Sequence, residues 1–229
     1  MRKVYTLAMA AICISHISHA QITKGSTFIG GSLSVFSDKS EFTPNSTLVN
    51  KATNWSIKPQ IGKAISENKI AGIFLNFGKS KYIQTTAPAN SSESINTVYG
   101  GGFFYRSYYP LSKKFFLFGD AGLGINFGKD ERSANNGTTN YIYYKGKSTE
   151  GNFALAPGLS FAATKKLHLE LALNNLLYFS YQSSNVTEYN SSTLIYRTTN
   201  RKIFSAIANA NAFNNIAIGV RLILPSKTK

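Results

Sequence analysis

Five side chains in this sequence could do chemistry: Arg106, Asp120, His168, Glu170 and Arg221. Arg106 lies just before a Pro110–Lys114 break and Asp120 just after it. His168 and Glu170 follow the Lys165-Lys166 pair, and Arg221 lies close to the C-terminus. In an extended chain residues two apart share a face, so His168 and Glu170 point the same way. Such a pair could act as a hydrolytic base or as part of a proton or ion path. The alternative is structural. Cations and carboxylates confined in a low-dielectric interior pair with one another, and five such groups near one end of a lumen would form a salt-bridge plug. The structural reading is preferred. No cofactor and no metal is expected, and the chain is not expected to be an enzyme. The only cysteine is Cys13, so residues 21–229 offer no thiol nucleophile and no Cys metal site. The glycines of Gly119–Gly124 suggest a phosphate loop, but no helix follows them and the mechanism is missing.

The elements that must position these residues are strands. The recurring apolar signal has period two, and no run of 18 apolar residues occurs after Gln21. Eight strands are predicted, at about 27–37, 54–65, 70–82, 97–109, 115–128, 152–163, 167–181 and 213–224. In the fifth, Phe115, Leu117, Ala121, Leu123, Ile125 and Phe127 alternate with Phe118, Asp120, Gly122, Gly124 and Asn126. In the seventh, Leu167, Leu169, Leu171 and Leu173 alternate with His168, Glu170, Ala172 and Asn174. In the second, Ser56, Lys58, Gln60 and Gly62 share the face opposite Trp55, Ile57 and Ile61. The connections alternate between long polar stretches (Asp38–Thr53, Ile83–Asn96, Lys129–Lys147, Gln182–Asn211) and short turns (Ser66–Lys69, Pro110–Lys114, Thr164–Lys166).

The apolar face of each strand carries Leu, Ile, Val, Phe, Tyr or Trp, and the other carries Gly, Ala, Ser, Asn and a few charges. That second set is too small and too weakly charged to be a good water-facing surface. The apolar set therefore suits lipid, and the small residues suit the narrow, side-chain-filled interior of eight strands. An antiparallel sheet in lipid must also close, because an open edge would leave unpaired N–H and C=O groups in hydrocarbon. Only 15% of the 229 residues are charged, against about 25% in an average soluble domain. The net charge is +15, but the lysines and arginines are scattered through turns and loops, which argues against a nucleic-acid partner. Met1–Ala20 reads as a cleaved signal peptide, with Arg2-Lys3, an apolar core and Ser18-His19-Ala20. The expected domains are thus 1–20, a leader, and 21–229, a barrel.

The runs GGFFYRSYYPLSKKFFLFGDAGLG and ALAPGLSFAATKKLHLELAL resemble the small outer-membrane β-barrel proteins of Bacteroidota, porin-like barrels of the OmpX/OmpA type. The resemblance covers essentially the whole chain after the leader. The expected fold is all-β: an eight-stranded antiparallel up-and-down transmembrane β-barrel with short periplasmic turns and long extracellular loops. The expected location is the bacterial outer membrane. The expected role is structural, adhesive or surface-binding through the extracellular loops, with the lumen plugged by charged pairs. A porin-like passive channel for small solutes is the alternative, and a lipid-A-modifying barrel hydrolase a further one. Such a hydrolase needs its His on the lipid-facing rim, whereas His168 reads as inward. Expected partners are outer-membrane lipids and lipopolysaccharide, with a surface ligand through the loops; the chain is expected to be a monomer.

Overall fold

A computed structural model describes residues 22–42, 48–87, 90–135, 140–173, 176–189, 195–208 and 216–226. The predicted leader, Met1–Ala20, lies outside the described residues, as does the start of the predicted eighth strand, 213–215. The described chain is all strand and turn. In order the strands are β1 (Thr27–Phe42), β2 (Leu48–Ser66), β3 (Lys69–Ala87), β4 (Asn90–Pro110), β5 (Phe115–Asn135), β6 (Asn140–Ala162), β7 (Leu167–Leu173), β8 (Leu177–Tyr189), β9 (Ile195–Ala208) and β10 (Ile216–Leu224).

All pairings are antiparallel, and they close a ring. β1 through β6 pair in sequence; β6 pairs with β7, β7 with β10, and β10 with β1. That makes eight strands around. β8 takes over from β7 as the neighbour of β6, from Leu155 upward, and β9 pairs along β8. The predicted seventh strand is thus two segments, β7 and β8. The predicted eighth is matched by β10, with β9 as an additional strand preceding it in the chain.

The registers fix the geometry. Starting at Leu33 and stepping across paired residues through β2, β3 and β4, one reaches Phe127 on β5. Stepping the other way, through β10, β7 and β6, one reaches Leu117. The ten-residue offset between those two positions is the stagger of the ring. Ten residues over eight strands tilts the strands by about 40°, in the range usual for closed sheets. The short turns, at Glu67-Asn68, Leu111–Lys114 and Ala163–Lys166, all lie at the end that also holds Ile22 and Ser226. There Asn68 adopts a left-handed conformation (φ 57°), and its side-chain oxygen accepts from the Ile22 N–H at 3.0 Å. Asn is one of the few side chains that take up this conformation readily.

The expected long loops are corrected. Residues 38–42 and 48–53 belong to β1 and β2, 83–87 and 90–96 to β3 and β4, and 129–135 and 140–147 to β5 and β6. Likewise 182–189 and 195–208 are β8 and β9. The polar stretches are continuations of the hairpins. The physical reason is that the apolar alternation stops where neither face is dry, while Thr, Tyr and Ile keep the chain extended. Ion pairs Lys81–Glu93 (3.0 Å), Arg132–Asp130 (3.2 Å) and Arg197–Glu188 (3.0 Å) decorate this far end. No helix among the described residues is long and apolar enough to cross a membrane, which says nothing about crossing by strands.

Which way the faces point decides what the ring is for. The outward set is apolar and exposed: Phe103 is 70% exposed, Leu123 61% and Ile218 64%. The registers place these side chains beside one another around the ring, as in Ile61↔Ile73, Ile73↔Phe103, Phe103↔Leu123, Leu123↔Phe153, Leu159↔Leu171 and Leu171↔Ile218. On β5 the belt runs from Phe115 to Phe127, about 40 Å of strand at ~3.3 Å per residue. Tilted by about 40°, it stands about 30 Å tall, which matches the hydrocarbon core of a bilayer. Its far edge is aromatic, with Trp55, Phe77, Tyr99, Phe127, Tyr181 and Phe204 exposed in turn. The next outward residues include Lys79, Lys129 and Lys202.

Candidate functional site: a charged layer across the lumen

The five predicted residues come from β4, β5, β7 and β10, and all point inward. Arg106 stands directly opposite Asp120 in the β4–β5 register. Its guanidinium forks the Asp120 carboxylate, with Nε donating to Oδ1 and Nη2 to Oδ2, both at 2.5 Å. Its remaining edge crosses the lumen. Nη1 donates to Glu170 Oε1 at 2.8 Å and Oε2 at 2.7 Å, and to the Tyr108 hydroxyl at 3.0 Å. Tyr108 in turn donates to Glu170 Oε1 at 2.7 Å. Arg221 reaches the same carboxylate from β10, with Nε 3.2 Å from Glu170 Oε2. Its Nη2 donates to Gln60 Oε1 at 2.9 Å, and its Nη1 to the carbonyls of Val220 (3.0 Å) and Gly31. Arg106, Glu170 and Arg221 are each 3% exposed or less. Two guanidiniums facing two carboxylates leave this layer without net charge.

The route Arg221 takes across the wall requires Gly30. A Cβ at that position would lie 2.3 Å from the Val220 carbonyl oxygen and 2.5 Å from Arg221 Cδ. Any larger residue would move the strand or the arginine.

On its short-turn side the charged layer rests on apolar side chains. Phe28, Ile70, Phe116 and Phe118 are nearly or fully buried, and Ile22 and Ile223 join them. The Arg106 guanidinium lies 4.3 Å from the Phe118 ring centroid and 5.1 Å from that of Phe28, within cation–π range. The same two-residue period that makes the outer belt thus also makes a second, internal core.

His168 belongs to this lower level. It sits opposite Arg221 in register, its Nδ1 is 3.1 Å from Ser160 Oγ, and its ring stacks near Phe116 (5.5 Å between centroids). Among the described residues no hydrogen bond joins it to Glu170, so the structure does not assemble the His168–Glu170 dyad. Glu170 itself is engaged by Arg106, Arg221 and Tyr108. No group of three or more His, Cys, Asp and Glu that could hold a metal occurs among the described residues.

Three participants were not singled out with the five: Tyr108, Gln60 and Ser160. Each carried a usable signal. Tyr108 is two residues from Arg106 and therefore on its face; Gln60 was already on the inward side of its strand; Ser160 alternates with Leu159 and Phe161 and so shares the polar face of its strand.

No protein-family model matches the chain, and no curated protein matches it. Among solved structures, the crystal structure of Neisserial surface protein A is similar over 86% of this chain and 96% of that one, at 11% sequence identity and a TM-score of 0.29. A likeness at that score carries no weight for fold or function. The family resemblance rests on the sequence motifs alone.

Proposed function

We propose that this chain is an integral outer-membrane β-barrel of the small OmpX/OmpA-like kind, exported by a cleaved leader. It serves the envelope as a structural or surface-binding protein, with its lumen sealed. The observation that carries the membrane reading is the inversion of the ring. Large apolar side chains point outward over a height of about 30 Å, while the buried inward positions include Arg106, Glu170, His168 and Arg221. Soluble monomers rarely expose a continuous apolar surface above a few hundred Å². The aromatic edge supports a fixed depth in the bilayer, and the lysines beyond it suit anionic lipid head groups such as those of lipopolysaccharide. The long polar hairpins at the other end from the turns supply the surface for an external partner.

The charged layer and the aromatic core beneath it favour a sealed lumen over a porin-like channel. Protein refolded into liposomes is expected to give no solute-dependent swelling above empty vesicles, and to migrate faster on a denaturing gel before boiling than after. Swelling with small sugars would establish the channel reading instead. Absence of any heat shift, with recovery of the protein in the soluble periplasmic fraction, would overturn both barrel and location.

A further inference from the structure

Above the charged layer, away from the short turns, the lumen widens into a polar cavity of about 210 Å³. Its β1–β2 wall is a block of four donors. Ser32 stands directly opposite Lys58, and Ser34 directly opposite Ser56. Ser34 donates to the Ile216 carbonyl, while Ser32 and Ser56 spend no hydrogen bond elsewhere among the described residues. Lys58 is the unusual member. Its ammonium lies 4.1 Å from the Phe74 ring centroid and makes no hydrogen bond or ion pair among the described residues; Asp120 attracts it only from beyond contact distance.

Arg106 and Arg221 are already matched by Asp120 and Glu170. Another inward carboxylate, Glu150, is held by three neutral donors that line the cavity. Tyr178 donates to it, as do Asn126 and Asn152, each at 3.4 Å. Lys58 is therefore a cation with no counter-charge in direct contact, beside free hydroxyls, in a partly enclosed cavity. A positive charge in such surroundings attracts an anion much more strongly than one at an open surface. The volume is below the ~300 Å³ of the smallest drug-sized pockets, so it suits an ion or an acid of a few heavy atoms. Glu150, held by residues that line the cavity, disfavours a second negative charge.

We propose that Lys58, with Ser32 and Ser56, forms a binding site in the lumen for a small singly charged anion of the halide or short-chain carboxylate class. This does not rest on the membrane reading, because the cup is internal and can be tested in detergent micelles.

The test is calorimetric titration of the refolded full chain with sodium formate and sodium bromide in chloride-free buffer. The site predicts saturable binding near one to one. Lys58→Met should weaken it at least tenfold, Ser56→Val several-fold, and Lys58→Arg should retain most of it. Sodium sulfate should bind more weakly than formate in wild type and gain on Glu150→Gln. Far-ultraviolet circular dichroism identifies variants that have refolded; if Lys58→Met has not, Ser56→Val and Glu150→Gln decide the matter. Absence of saturable binding to wild type, or equal binding by wild type and the refolded Lys58 and Ser56 variants, would overturn the site.

Discussion

Arg106→Met is expected to be among the most destabilising single changes in the chain, lowering the unfolding free energy by about 3–5 kcal/mol. The cost does not come from losing an attractive pair as such. A buried ion pair often only breaks even with an apolar replacement. It comes from what is left behind. Asp120 loses both N–H donors that fork it, and Glu170 keeps Tyr108 and the more distant Arg221. A carboxylate stripped of its direct donors then remains in a largely buried position. Urea titration of the micelle-refolded protein measures this directly. Arg197→Ala breaks an ion pair whose arginine is 61% exposed, and it should move the midpoint by no more than the ~0.2–1 kcal/mol of exposed pairs. Replacing Asp120 by Asn in the Arg106→Met background should recover part of the loss, because it removes the orphaned charge. Equal midpoints for Arg106→Met and Arg197→Ala would show that the layer does not hold the lumen together.

The second large effect concerns the outer face. Leu123 lies near the middle of the belt, paired with Phe103 on one side and Phe153 on the other. Leu123→Arg in a lipid-facing strand at the bilayer midplane should cost about 2–4 kcal/mol when folding is measured into vesicles. Thr97→Arg, beyond the aromatic edge at Tyr99, should cost only ~0–1 kcal/mol, as expected near an interface. If the belt faced water, Leu123→Arg would be a surface change of about 0.5 kcal/mol or less, and the two variants would behave alike.

Period two made most of this molecule legible. The alternation in Phe115–Phe127 and Leu167–Leu173 gave the strands, their faces and the inward direction of Asp120, His168 and Glu170. That the five would share one end followed from their distances to the turns, since an antiparallel register carries a short offset from a turn onto the neighbouring strand. What the alternation left unread falls into two kinds. One is the extent of the strands. Lys129–Asn135 and Asn140–Lys147 have no apolar face to reveal them, yet they pair residue for residue. The other is the internal aromatic core. In Phe115-Phe116-Leu117-Phe118 both faces are apolar, so outward-facing Phe115 and Leu117 mask the inward Phe116 and Phe118. An apolar residue alone does not say whether it meets lipid or a packed lumen; the partners across the ring do. Lys58 is the complementary case. Its inward direction was legible, but that no carboxylate reaches contact distance of it depends on β5 and β7 being where they are.

The central claim is that the outward face of the ring contacts hydrocarbon. Residues 21–229 contain no cysteine, so single cysteines introduced at Phe103, Leu123 and Leu171, and at Lys79 and Lys129 beyond the aromatic edge, can carry nitroxide labels without competition. Their accessibility to oxygen and to a water-soluble nickel complex should be measured with the protein in lipid bilayers. Hydrocarbon contact predicts high oxygen and low nickel accessibility at the first three sites and the reverse at the two lysine sites. High nickel accessibility at Phe103, Leu123 and Leu171 would contradict it.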